Sequence, residues 1–203
     1  MTGDETSHNG APAAGAQSRA AGAAGAATGP VNGSAGNVEI DSPALDDAAA
    51  MYRVTRDSGA LDLNSSYVYL LWCRDFARTS AVARAGGAVV GFASGYLRPD
   101  APDTLVVWQV AVDASQRGGG VAGTLLNALV DRVRPRHLET TITADNTASI
   151  KLFSALARDR SAELTRAELF AAAHFPDEHD AEELYRIGPF EFGTSAEEPA
   201  RGA

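Results

Sequence analysis

Between residues 105 and 133 the chain changes its hydrophobic rhythm twice. Leu105, Val106, Val107, Trp108, Gln109, Val110, Ala111 and Val112 form a nearly uncharged, β-branched run closed by Asp113. That pattern predicts a strand buried on both faces in the middle of a sheet. From residue 121 apolar residues return at helical spacing, at Val121, Leu125, Leu126, Leu129, Val130 and Val133, with Asn127, Asp131 and Arg132 on the opposite side. A helix with one face on the sheet is expected there. Between the two lies Gln116-Arg117-Gly118-Gly119-Gly120-Val121-Ala122, where side chains are almost absent.

The same reading extends along the chain. Residues 38–40 predict a short strand. Asp41-Ser42-Pro43 predicts a helix start, with Ser42 as cap and Pro43 in the first turn. Leu45, Ala48, Ala49 and Tyr52 supply that helix's apolar face, and Gly59 its end. A second helix is predicted over residues 64–76. Residues 80–84 and 89–97, joined by Gly86-Gly87, predict an antiparallel hairpin, and residues 99–103 turn into the central strand. Residues 137–143 predict a strand parallel to the central one, because a crossover helix joins the two. Asp145-Asn146 caps a further helix with Ile150, Leu152, Phe153 and Leu156 on its apolar face. Short strands over residues 162–165 and 184–187 complete a β-α-α-β-β-β-α-β-α-β-β order. This is an α/β (α+β) class: a mixed central sheet, antiparallel at its N-terminal side, with flanking helices. The predicted organisation is an Ala/Gly-rich disordered tail over residues 1–37, one domain over 38–190, and a frayed C-terminal tail over 191–203.

Composition narrows the partners. At 203 residues and 45% hydrophobic content the chain can bury one good core. A net charge of −9 argues against nucleic acid or an anionic membrane, both of which need a basic footprint. The single cysteine, Cys73, excludes an intramolecular disulfide and a cysteine-rich metal site, and points to a reducing compartment. As a nucleophile Cys73 lacks any activating partner that the sequence can place beside it. No apolar run reaches transmembrane length and no secretory pattern opens the chain, so a cytoplasmic location is expected.

The glycine-rich turn carries the chemistry. Amides without an intrahelical partner, at the positive end of a helix dipole, form an anion site suited to phosphate; the alternative is a merely flexible turn. Three phosphate loops compete. A Walker loop needs Lys-Ser or Lys-Thr after its last glycine, and Thr124 follows Gly123 with no lysine. The dinucleotide fingerprint is literally present as Gly118, Gly120 and Gly123, with Glu139 at about the distance of a ribose-binding acid. Against it, the strand ends several residues before the first glycine, and hairpins rather than βαβ units precede it. The third option, Arg117-x-x-Gly120-x-Ala122 directly after a central strand, resembles the acetyl-CoA pyrophosphate loop of the GNAT acyltransferase superfamily, whose element order is the one predicted.

Further stretches resemble one family of that superfamily, the L-2,4-diaminobutyric acid acetyltransferases of ectoine synthesis. They are Arg56-Asp57-Ser58-Gly59, Leu61-Asp62-Leu63-Asn64-Ser65-Ser66-Tyr67, Tyr69-Leu70-Leu71, Val107-Trp108-Gln109-Val110-Ala111-Val112-Asp113, Leu138-Glu139-Thr140-Thr141, Asp145-Asn146, Leu152-Phe153, Leu156-Ala157-Arg158 and Leu184-Tyr185-Arg186-Ile187-Gly188-Pro189-Phe190. The match runs from about Pro43 to Phe190. The resemblance implies acetyl transfer from acetyl-CoA to the 4-amino group of L-2,4-diaminobutyrate, in a homodimer that needs no metal.

It also implies roles. The N–H groups of Val110 and Val112 would bind the pantetheine arm, with Val110 polarising the thioester carbonyl. Arg117, Gly118, Gly119, Gly120, Val121 and Ala122 would hold the pyrophosphate, and Asn146 would touch the coenzyme arm as well as cap its helix. Glu139, expected at a strand end beside the thioester, is the candidate base, acting directly or through water, and a substrate-binding residue as well. Its alternative is a plain surface carboxylate. Asp62 could bind an ammonium, with Tyr67 and Trp108 as pocket walls and Trp108 offering a cation-accepting face; read alone, the three are a turn residue, a helix-core aromatic and plain core. His179, before acidic residues upstream of the Leu184-Tyr185-Arg186 segment, is carried over as substrate-binding, with His174 as its competitor. Where many members of the superfamily place a tyrosine acid, this chain has Phe153. Two other readings stay open: an acetyltransferase for another small amine, and a non-catalytic acetyl-CoA-binding module.

Overall fold

The computed structural model describes residues 38–59 and 61–192. The expected tail over residues 1–37 lies outside the described residues, as do residues 193–203. Glu191 and Phe192, expected within the frayed tail, are described, and Phe192 packs against the core.

The elements follow the predicted order: β1 (Glu39–Asp41), α1 (Ala48–Ser58), α2 (Ser66–Asp75), β2 (Ala81–Ala85), β3 (Ala88–Arg98), β4 (Ala101–Val112), α3 (Val121–Val133), β5 (His137–Thr143), α4 (Thr147–Asp159), β6 (Leu164–Phe170) and β7 (Glu182–Ile187). The seven strands form one sheet in the order β1-β2-β3-β4-β5-β7-β6. Only β4 and β5 are parallel; the other pairs are antiparallel. Leu125, Leu126, Leu129 and Val130 of α3 and Phe153, Leu156 and Ala157 of α4 are buried against one face, with Leu105, Val107, Leu138, Ile142, Tyr185 and Ile187. A second cluster gathers Met51 and Val54 of α1 with Tyr69, Trp72 and Cys73 of α2, over Val82, Phe92 and Ala111.

Local chemistry moves several boundaries. Ser42 is not the cap of the first helix. The Asp47 carboxylate accepts the Ala44 N–H at 2.8 Å, and a single 3-10 turn, Leu45–Asp47, leads into α1. Asp47 also takes two hydrogen bonds from Arg84, at 2.9 and 2.7 Å. Burial alone would raise the Asp47 carboxyl, but Arg84 and the Ala44 amide hold it below the usual carboxylate range. The Ser42 hydroxyl instead accepts from Arg132 on α3. Gly59 ends α1 in the left-handed region, at φ 61°, as expected. The α2 cap is Ser65, whose side chain accepts from the Tyr67 N–H. The strand expected from residue 162 begins at Leu164, because Ser161 turns with positive φ and the Ala162 N–H is taken by the Ala157 carbonyl at 2.9 Å.

Two irregularities in β4 shape the site. Ser94 pairs with Gln109 and Gly95 with Val107, so Trp108 is an extra residue, a β-bulge. The bulge exchanges faces: Leu105 and Val107 lie in the α3 cluster, as do the half-buried Val110 and Val112, whereas Ala111 lies in the α1–α2 cluster. The expectation of burial on both faces therefore fails in part, since Trp108 is 41% exposed and Val106, Val110 and Val112 are half-buried. Second, β4 and β5 pair at only three positions, Thr104↔His137, Leu105↔Leu138 and Val106↔Glu139. Beyond Val106 the two strands run unpaired.

Candidate active site

The separated strands leave β4 with main-chain groups facing no neighbour. Asp113 N–H donates to Val90 O at 2.8 Å on the β3 side. Because successive residues of a strand alternate sides, the N–H groups of Val112 and Val110 point the other way, toward β5. The Val112 carbonyl points there too, and Arg117 Nε donates to it at 3.4 Å.

After β4 a 3-10 turn, Ala114–Gln116, leads into the glycines. Gly118 and Gly120 adopt φ of 79° and 77°, a region that a side chain disfavours, and a Cβ on either would meet nothing within 4 Å. The turn is therefore shaped for backbone geometry and open space rather than for packing. The first bond of α3 runs from Thr124 N–H to Gly120 O at 3.0 Å. The N–H groups of Val121, Ala122 and Gly123 thus have no intrahelical acceptor and stand at the positive end of the helix dipole. These three residues line a cavity of about 240 Å³ with Val112, Gln116, Arg117, Gly118, Gly120 and Leu152. A second cavity of about 250 Å³ shares Val112, Arg117, Ala122 and Leu152 with it and adds Val110, Leu61, Asn146 and Ser149. The pair forms one groove from the glycine loop to the opened strand. This groove fits a diphosphate on an extended arm: unpaired amides and a guanidinium at one end, strand amides at the other. Asn146 accepts the Ser149 N–H at 3.0 Å as the α4 cap, as expected, and lines the groove as well.

Next to the groove a charged cluster is built from distant segments. Leu61 lines the groove, and the next residue, Asp62, places Oδ2 at 3.6 Å from His179 Nε2. The same nitrogen lies 3.7 Å from Glu182 Oε1. His179 stacks on Phe175, ring centroids 4.0 Å apart, and its Nδ1 is bonded to the Asp180 carbonyl at 2.7 Å. That carbonyl, then the Glu182, Asp62 and Asp177 carboxylates, raise the imidazole above its ordinary value. His174 is occupied elsewhere, its Nδ1 accepting from Ala171 N–H at 3.1 Å. Tyr67, in the first turn of α2, is 61% exposed, and Trp108 leans on Trp72 with centroids 5.1 Å apart. Neither aromatic is plain core.

Glu139 is not at a strand end. It is the third residue of β5, in the last registered pair before the strands separate. It is 4% exposed, and its oxygens accept from Arg98 Nη1 at 3.0 Å and Arg186 Nη1 at 3.2 Å. Phe153 is core, and Cys73 is buried, its thiol pushed up to about 11 by burial and the nearby Asp47 charge. No cluster of potential metal ligands occurs among the described residues.

Sequence reasoning did not single out Glu182, Arg98, Arg186 or Gln109. Glu182 stands three residues after His179, a spacing that could have suggested it. Gln109 is the one amide in an otherwise apolar run, which is a signal in itself.

Fold and groove together define a coenzyme A-dependent acetyltransferase: the model of the acetyltransferase (GNAT) family matches residues 45–157. An L-2,4-diaminobutyric acid acetyltransferase from Streptomyces coelicolor is 58% identical over 163 residues, covering 77% of this chain and 96% of that protein. Its counterpart from Nocardia farcinica is 54% identical over 76% of this chain and 81% of that one. A diaminobutyrate acetyltransferase from Paenibacillus lautus, solved with L-2,4-diaminobutyric acid and coenzyme A, superposes with a TM-score of 0.73 at 37% identity, over 79% of this chain and 99% of that one. The chain belongs to the GNAT family and, within it, to the diaminobutyrate acetyltransferases.

Proposed function

We propose that this chain transfers the acetyl group of acetyl-CoA to the 4-amino group of L-2,4-diaminobutyrate, the step before ring closure to ectoine. The observation that carries this reading is the meeting of two chemistries along one cleft. Unpaired donors of β4 and the glycine loop serve an acyl-CoA, and a cluster of Asp62 and Glu182 around His179 serves a small cationic amine. The relative from Paenibacillus lautus, which was solved with that amino acid and coenzyme A, supports the same substrate.

Acetyl-CoA supplies an activated acyl thioester; the protein's part is to hold, polarise and move protons. The Val110 and Val112 N–H groups align the arm, with Val110 polarising the carbonyl, a contribution that grows as charge develops on its oxygen. Arg117 and residues 118–122 fix the diphosphate, and Asn146 borders the arm. Asp62 and Glu182 attract the acceptor's ammonium groups, while Tyr67 and Trp108 wall the pocket. The attacking amine, with a pKa of about 10.4 if it behaves like lysine, must lose a proton first. Glu139 accepts that proton by way of water, through the lone pairs that Arg98 and Arg186 leave on its oxygens. The working form is a homodimer in the cytoplasm, a reading supported by the family resemblance and by the single buried cysteine; light scattering on the purified chain tests the first.

The substrate assignment is tested by steady-state assays with acetyl-CoA against diaminobutyrate, lysine, spermidine and peptide N-termini, with mass spectrometry of the product. The expected result is a marked preference for diaminobutyrate and acetylation at N4. Equal turnover of all amines would overturn the substrate, and coenzyme binding without turnover of any would leave a non-catalytic module.

A further inference from the structure

One buried polar side chain beside this cleft has no part in the roles above. Gln109 is 6% exposed and follows the bulged Trp108, so it shares the α1–α2 face of β4 with Ala111. Its Nε2 donates to the Asp62 carbonyl at 3.0 Å, a bond between residues 47 apart in the chain. The same carbonyl accepts a local bond from Asn64 Nδ2 at 3.3 Å. A carbonyl can only accept, which fixes the amide orientation and leaves Gln109 Oε1 buried without a protein partner. An unpaired buried oxygen is destabilising, and leucine or methionine in its place would not carry that cost. What glutamine contributes must therefore lie in the bond that it makes.

That bond ties an exposed loop to the central strand. The Asp62 side chain is 88% exposed, yet its main chain is pinned to the strand whose next residue, Val110, faces the groove. We propose that Gln109 is a positioning residue for the amine acceptor: it anchors the Asp62 main chain to the bulged strand, so that the Asp62 carboxylate stays opposite Glu182 at the spacing that selects a short diamine. The inference rests on the acceptor reading given above. Without the anchor, Asp62 remains on the surface as a charge but no longer has a fixed distance to the opened strand.

The test is a double-mutant cycle of Gln109→Leu and Asp62→Asn on the full chain, reading melting temperature and the KM of each substrate. Gln109→Leu is expected to keep or raise the melting temperature. It should raise KM for diaminobutyrate about tenfold and leave KM for acetyl-CoA within about twofold of wild type. In the Asp62→Asn background the same change should add less than about twofold, because the group that it positions is already gone. A lowered melting temperature with unchanged KM, an equal rise in both KM values, or full additivity would overturn the proposal. Should Gln109→Leu fail to fold, Gln109→Met is read in its place, and failure of both would mark the residue as structural and overturn the proposal likewise. Wild-type protein run alongside separates the two claims: indifference of wild type to diaminobutyrate removes the acceptor assignment and the anchor with it, whereas additivity in a selective wild type removes the anchor alone.

Discussion

Arg117 illustrates how a single side chain would be prepared for the diphosphate that the proposed function assigns to it. Its guanidinium reaches back to the Val112 carbonyl at 3.4 Å and across to the Ser58 carbonyl at 3.2 Å, so the charge is held beside the glycine turn before any anion arrives. Arg117→Ala should raise KM for acetyl-CoA about tenfold or more, the worth of a charge-assisted bond to phosphate, and leave KM for diaminobutyrate unchanged. Glu139→Gln tests the proposed proton route. It should depress kcat, and it should lower stability, because two partly exposed guanidinium groups lose their buried counter-charge. Steady-state kinetics and urea melts separate the two effects. At this scale the sequence could nominate residues where the chemistry is local: the glycine loop, Asn146 and Asp62 stand in short characteristic stretches, and His179 came from the family resemblance alone. Glu182 and Gln109 were not legible, because their meaning comes from Asp62, 47 residues from Gln109 and in another segment from Glu182.

The bulge in β4 governs the elements around it. It turns Val110 and Val112 toward α3 and the groove, and sends Gln109 and Ala111 to the α1–α2 side. Across from it, Gly95 has no room for a side chain: a Cβ there would lie 2.6 Å from the Val106 carbonyl and 3.0 Å from the Thr79 carbonyl. Both obstacles are main chain, which cannot swing aside. Gly95→Ala should therefore cost about 1–3 kcal/mol in a chemical melt and weaken acetyl-CoA binding, since β4 must shift to accept it. Hydrophobic periodicity located the helices and the inner strands because each buries one coherent face; β6 is almost wholly exposed, and only its first residues fall within the short strand expected over 162–165. It could not locate the bulge, which leaves the run from Leu105 to Val112 without a gap in the sequence, nor the Asp47 carboxylate that displaced Ser42 as the first cap. Nor could it separate the partly open face of β4 from a fully buried one, since Val110 and Val112 are as apolar as core residues.

Across the whole molecule, His179 joins two loops that the chain keeps far apart, the one after α1 and the one before β7. Its ring faces Asp62, Glu182, Asp177 and the Asp180 carbonyl, with Phe175 beneath it. The folded state raises its pKa, so the stabilisation is complete below the unfolded value, about 6.5, and is lost as pH rises through the higher folded value. Wild type should exceed His179→Gln in stability below about pH 6.5, with the difference closing as pH rises through the folded value; urea melts over a series of pH values check this. The parting of β4 from β5 has its own outcome for the free enzyme. The sheet is stapled across that seam by three rungs alone, and an acyl-CoA laid along it as proposed would supply further ones. Saturation at a hundred times Kd should add about 2.7 kcal/mol to unfolding, so the heat tolerance of this enzyme becomes a gauge of how well the cell is supplied with its coenzyme.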